Sequence, residues 1–268
     1  MVRRPAFSDQ FYPGHAATLR RDLEGFLAAP PTRIASPIGC LAPHAGYIYS
    51  GAIAGAVYAR LELPERFLIL CPNHTGRGAA LSIMSDGAWQ TPLGKAPIDA
   101  TLAAELRRLC PRLEEDAEAH RREHSLEVQL PFLQQLRPRM RFVPIAVGID
   151  DFDDLHQLGG ALASAVRVAA EPVLIIASSD MNHFENDQRT RLKDRRAIDR
   201  VLALDPRGLY ETVRREDISM CGYCPAVAML TAARDLGATR AELVRYGTSA
   251  ETSGDYDRVV GYAGVAVW

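Results

Sequence analysis

Three short apolar runs, Ile38–Ala42, Phe67–Cys71 and Val173–Ala177, constrain this chain more than any other feature. Each is about one strand long and continuously apolar rather than alternating. That is the pattern of a strand covered on both faces. Helical segments lie between them. Residues 16–28 carry Leu19, Leu23, Phe26 and Leu27 at helical spacing, and Pro30-Pro31 ends the run. Ser50 is placed to cap a helix over 51–61, whose Gly51, Ala52, Ala54, Gly55 and Ala56 would let it lie close on a sheet.

The pattern continues to the end of the chain. Strands are expected at Ala80–Ser85, Phe142–Val147, Ala241–Tyr246 and Val259–Val267, with a turn-rich loop or hairpin at Trp89–Pro97. Asp99 caps a helix to Leu109, and further helices are expected at 125–136, 150–169, 188–203, 207–214 and 223–236. Alternating strands and helices imply an α/β fold: a layered sandwich around a mostly parallel or mixed central sheet. With no internal repeat or linker, one domain over residues 1–268 is expected.

Composition narrows the class. A formal net charge of −2 gives no reason to expect nucleic acid or a membrane surface as partner. The basic run Arg189–Arg200 reads as a solvated helix face. Five cysteines, with no secretory apolar segment, point to a reducing compartment, and the cytoplasm is expected. No apolar run approaches the length of a transmembrane helix.

The three buried runs lead into polar residues at what would be the ligand-binding edge of the sheet. Ile38–Ala42 runs into Pro43-His44-Ala45-Gly46, and Phe67–Cys71 into Pro72-Asn73-His74. Val173–Ala177 runs into Ser178-Ser179-Asp180 and, three residues on, His183. On a helical turn, Asp180 and His183 would share a face. Three histidines and a carboxylate at three strand ends suit a metal ion: Fe(II), Zn or Cu. Two histidines and a carboxylate with open positions point to non-haem iron.

Two other motifs compete. His120-Arg121-Arg122-Glu123-His124 matches the inverted zincin pattern H-x-x-E-H. Its surroundings are polar, and apolar periodicity starts only at Leu126, so His124 is expected near a helix start. Cys221-Gly222-Tyr223-Cys224 is a C-x-x-C at an apparent helix start, where a redox dithiol would sit. Cys221 is equally able to offer one thiolate to a metal.

Taken together, these residues closely resemble the Memo family, also called AmmeMemoRadiSam system protein B. The carriers are Arg4-Pro5-Ala6, Gln10-Phe11-Tyr12-Pro13, Ala42-Pro43-His44-Ala45-Gly46-Tyr47, Pro72-Asn73-His74, Thr91-Pro92-Leu93-Gly94, Glu123-His124-Ser125-Leu126-Glu127, Ser178-Ser179-Asp180 with His183, and Cys221-Gly222 with Pro225. The resemblance implies a fold like the class III, LigB-type extradiol dioxygenases, which open catechol rings with O₂ at a non-haem Fe(II). It implies that His44 and His74 are metal ligands. It also implies that His183 is an acid/base histidine with Asp180 beside it, and that Cys221 stands where those enzymes have a carboxylate. Fe(II) is the expected ion, with Cu and Zn as alternatives. The expected activity is redox chemistry on a small aromatic molecule. The alternative is a non-catalytic protein that binds a peptide or partner and keeps a vestigial metal site. The family name also implies a functional link to AMMECR-type and radical-SAM proteins.

Overall fold

The computed structural model describes residues 1–27 and 32–268. Its strands are β1 (Val2–Arg3), β2 (Gly39–Ala42), β3 (Arg66–Pro72), β4 (Leu81–Ile83), β5 (Ala88–Thr91), β6 (Gly94–Pro97), β7 (Glu114–Glu115), β8 (Arg141–Val147), β9 (Val173–Ser178), β10 (His183–Glu185), β11 (Ala241–Thr248) and β12 (Val259–Val267). Its helices are α1 (Ala16–Phe26), α2 (Tyr47–Arg60), α3 (Ala100–Leu109), α4 (Glu118–Arg121), α5 (His124–Glu127), α6 (Leu130–Leu136), α7 (Phe152–Val168), α8 (Asp187–Leu202), α9 (Pro206–Arg215), α10 (Tyr223–Asp235) and α11 (Ala250–Ser253). Ala28 and Pro30-Pro31, expected to end the first helix, lie outside the described residues.

The central sheet is mixed. Strands β2, β9, β3 and β8 are adjacent and parallel. β12 joins antiparallel on one side and β4 on the other. Every residue of β2, β3 and β9 is buried. This explains their continuous apolar runs, because helices cover both faces. The pleat sends Leu41, Leu68, Leu70 and Ile175 to one core, packed with residues of α3 and α7–α10. It sends Cys40, Phe67, Ile69 and Ile176 to the other, packed with residues of α1, α2 and α6. The expected α/β sandwich is therefore observed. The Trp89–Pro97 segment is the β5–β6 hairpin, which pairs with β1 in a separate three-stranded sheet.

Several local expectations are corrected. The second helix starts at Tyr47 behind Gly46, and the Ser50 hydroxyl donates to the Ala45 carbonyl instead of capping. Its glycines do not serve the sheet. A Cβ at Gly51 would lie 2.7 Å from the Phe26 ring, and one at Gly55 2.5 Å from the Phe26 carbonyl oxygen. Both glycines exist to admit α1. The expected helix over 125–136 is broken into α5 and α6. Pro131 has no N–H to offer the Glu127 carbonyl one turn back, so the ladder is interrupted there.

The N-terminal segment is tied to α5 by a buried ion pair. The Arg3 guanidinium donates to Glu127 Oε2 at 2.7 Å and to the carbonyls of His120 and Glu123. Glu127 also accepts from the backbone N–H groups of Ala6 and Phe7 and from the Tyr12 hydroxyl. Arg3→Ala leaves that carboxylate buried without its cation. The variant should lose about 3–5 kcal/mol of unfolding free energy in a denaturant titration. A loss below about 1 kcal/mol, the scale of a surface pair, would show that the clamp is dispensable.

Candidate metal centre

Parallel pairing decides which residues meet. Ala42 is in register with Ser178, and Leu70 with Ala177, so β2, β9 and β3 end at one edge. His44, Asp180 and His74 follow from those ends. The backbone N–H of His44 donates to Asp180 Oδ1 at 2.7 Å, which locks the first loop to the last.

The His44 tautomer follows from proton counting. Its Nδ1 lies 2.9 Å from Ser178 Oγ. That hydroxyl donates its single proton to the Ser125 carbonyl and accepts from Gln129 Nε2. The Gln129 amide is itself oriented, since Nε2 also donates to the Pro43 carbonyl and Oε1 accepts from Tyr58. Ser178 Oγ can therefore only accept from His44, which carries its proton on Nδ1 and leaves Nε2 bare. Burial, then the charge of His74, holds His44 well below the usual imidazole range.

His74 is set in the same way. Its Nδ1 lies 2.9 Å from Glu123 Oε1, and its backbone N–H donates to Glu123 Oε2 at 2.7 Å. Burial alone would raise the Glu123 carboxyl. Hydrogen bonds from His74 and Ser125, with the charge of His74, bring it down to about 2. An ionised carboxylate only accepts, so His74 also carries Nδ1–H, and its neutral ring has a bare Nε2. A carboxylate behind a ligating imidazole is a common support in metal sites.

Cys221 completes the cluster. Its Sγ is 3.2 Å from His44 Nε2 and accepts from the Asp180 backbone N–H at 3.3 Å. Gly222 makes this approach possible: a Cβ there would lie 2.3 Å from the Ser178 carbonyl oxygen. Ligand atoms of His44, His74 and Cys221 all lie within 4.8 Å of one another. Donors held tetrahedrally at about 2.0–2.3 Å from one ion are about 3.3–3.8 Å apart, so small side-chain movements would fit one ion.

His124 belongs to the same cluster, although the sequence put it only near a helix start. Its ring stacks on His74 with centroids 4.8 Å apart, and meets His44 edge-on at 5.4 Å. Phe7 and Phe11 enclose its other sides. Its sequence signals were the H-x-x-E-H pattern, which pointed to the wrong pairing, and its place in the Glu123-His124-Ser125-Leu126-Glu127 segment of the family resemblance. α4 ends at Arg121, and His120 turns away to pack against Trp89. A zincin helix face is therefore absent here.

Two further expectations change. Asp180 and His183 do not share a helical turn. The segment is extended, with Met181 and Asn182 hydrogen-bonded to Gly261 and His183 paired with Val260 on β12. His183 still lies near enough for its charge to lower both His44 and Asp180. The dithiol reading finds no support in the surroundings of its two thiols. Cys224 lies on α10 among Tyr223, Asp150 and Arg214, whereas Cys221 faces Asp180. Burial raises both thiols, Cys224 to about 12, where a redox helix start would lower them.

Fold and cluster define a class: an α/β sandwich with imidazoles and a thiol gathered at the carboxyl edge of its parallel strands. The model of the Memo-like protein family matches residues 3–266. The chain is 41% identical over 278 residues to a MEMO1 family protein of Methanopyrus kandleri, covering 99% of this chain and 98% of that one. A MEMO1 family protein of Methanothermobacter thermautotrophicus is 40% identical over 277 residues. This chain belongs to the Memo family. In fold it is also similar to an uncharacterized protein of Escherichia coli K12, with a TM-score of 0.56 at 13% identity, covering 85% of this chain and 98% of that one.

Burial, then the charge of His44, lowers His124 to about 4. An unfolded histidine titrates near 6.5. Between those values the unfolded chain takes up a proton here and the folded protein does not, so acid favours unfolding. The contribution is complete above pH 6.5 and lost by pH 4, about 3 kcal/mol in all. In chelator-treated protein, His124→Phe should therefore flatten the pH dependence of unfolding free energy across that window. An unchanged slope would refute the buried neutral state.

Proposed function

We propose that this chain is a metalloprotein whose ion is held by His44 Nε2, His74 Nε2 and Cys221 Sγ, and that it carries out redox chemistry on a small aromatic molecule. One observation carries the reading: two imidazoles, each held at Nδ1 by a different acceptor, stand with one thiol so that a ligand atom of each lies within 4.8 Å of the others, and His44 Nε2 is 3.2 Å from the Cys221 thiol. Fe(II) is the proposed ion, with Cu and Zn as alternatives, because imidazole and thiolate suit all three. Such an ion, when bound, supplies Lewis acidity and, for iron or copper, one-electron chemistry with O₂.

The protein's own groups supply the rest. Glu123 and Ser178 orient the two histidines, while Phe7 and Phe11 shield His124. His183 is the group proposed to move protons, with Asp180 beside it. Burial raises the Asp180 carboxyl above its ordinary value. The reading also includes a reducing, cytoplasmic setting and a functional link to AMMECR-type and radical-SAM proteins. A second role, binding of a peptide or partner over a vestigial site, is favoured by the exposed Ile48 and Tyr49 in the first turn of α2 and the exposed Phe184 in β10, which follow His44 and His183 closely in the chain.

Metal analysis after anaerobic purification tests the proposal. The wild-type protein should hold close to one equivalent of iron or copper, and the His44→Ala, His74→Ala double variant almost none. Glu123→Gln should weaken metal affinity by about 10–100-fold. Co(II)-loaded protein should show a thiolate-to-metal charge-transfer band that Cys221→Ser removes. Equal metal content in wild type and double variant would overturn the proposal.

A further inference from the structure

His183 stands on an unusual piece of backbone. The pairing of β10 with β12 shifts register between His183 and Glu185, and Phe184 between them has a φ of 64°. A bulky residue in the left-handed region is strained and persists only where its surroundings hold it. Here both neighbours are held. The Glu185 carboxylate is gripped by Arg189 at 2.7 Å, Lys193 at 3.0 Å and Asn182 Nδ2 at 2.8 Å. His183 is gripped by Ser219, whose hydroxyl accepts the His183 backbone N–H at 2.7 Å. The Ser219 carbonyl lies 2.8 Å from His183 Nδ1.

A carbonyl only accepts. His183 Nδ1 therefore carries a proton, and in the neutral ring Nε2 is left with a free lone pair. Ser219 is in turn fixed by Asn182. The Asn182 Oδ1 accepts from both the backbone N–H and the hydroxyl of Ser219, each at 3.1 Å. The Asn182 backbone N–H donates to the buried Asp194 Oδ1 at 2.8 Å, and Tyr246 donates to Asp194 Oδ2 at 2.7 Å. Ser219 is two residues before Cys221, so one loop carries both the thiol and the clamp on His183.

We infer that Asn182 and Ser219 are positioning residues: they fix His183 as its Nδ1–H tautomer, with Nε2 free to accept a proton at the site beside His44, Asp180 and Cys221. The bulge at Phe184 aims the ring, as bulges beside functional sites commonly do. This rests on the proposed proton-moving role of His183, but the tautomer measurement that tests it needs neither metal nor activity.

The test is long-range proton–nitrogen NMR of histidine rings in metal-free, ¹⁵N-labelled protein. In the wild type, His183 should show a protonated Nδ1 and a bare Nε2. A wild-type His183 that is Nε2–H, or that averages both forms, overturns the inference without any variant. Asn182→Ala should move the two His183 nitrogen shifts toward each other as the tautomers begin to exchange, while His44 and His74 keep theirs. If Asn182→Ala does not fold, Ser219→Ala should give the same local change; an unchanged His183 spectrum in the folded variant overturns the inference. Co(II) affinity of the variant should fall by less than the ~10-fold typical of losing a partner of a ligating histidine. A larger fall would make these residues part of the metal support and overturn their assignment to His183. Failure of wild-type protein to take up any metal would strike the proposed function and leave the tautomer result standing.

Discussion

The parallel pairing of β2, β9 and β3 is the constraint on which the rest depends. Parallel strands end together, and their pairing leaves no freedom of register once both faces are buried, since a one-residue slip would reverse every side chain. His44 and Asp180 can thus be 136 positions apart in the chain and joined by a 2.7 Å hydrogen bond. The two apolar cores fix the edge, and the edge fixes the loops. What stands on those loops is then a matter of a few polar side chains.

Those side chains act through the nitrogen they leave free. Ser178, Glu123 and the Ser219 carbonyl each face the Nδ1 of a different histidine. Each can only accept from it, for a different reason: a hydroxyl proton already donated, a carboxylate held ionised, and a carbonyl with no proton to give. Three unrelated supports therefore give the same tautomer. Burial keeps His44 and His124 uncharged, which preserves their lone pairs and avoids repulsion among four close imidazoles.

The same supports connect the site to distant parts of the fold. Glu123 caps α5, the short helix that Glu127 ties to the N-terminal segment through Arg3. Gln129 sits in the turn that Pro131 forces between α5 and α6, and from there it reaches both Pro43 and Ser178. The break in that helix therefore brings Gln129 to the strand ends. Gly222 does the same for Cys221 by allowing backbone to touch backbone at the end of β9.

Much of this was legible in the sequence. Continuous apolar runs identified the buried strands, and the residues following them identified His44, His74 and Asp180, because a chain leaving a buried strand carries what comes next to the edge of the sheet. The C-x-x-C motif offered Cys221 as a thiolate, and resemblance to the Memo family assigned it to the same site. Partners brought together by folding were not legible. His124 lies in a polar stretch whose spacing matched a zincin helix, and nothing local shows that the helix breaks at Arg122 and turns His120 away. Asp180 and His183 are three apart and suggested a helical turn, but pairing with β12 overrode that local preference. Sequence alone determined which side chains capable of chemistry stand at the sheet edge, because hydrophobic patterning is local. Tertiary structure decided which nitrogen of each histidine is free, because a tautomer depends on a partner that can lie anywhere in the chain.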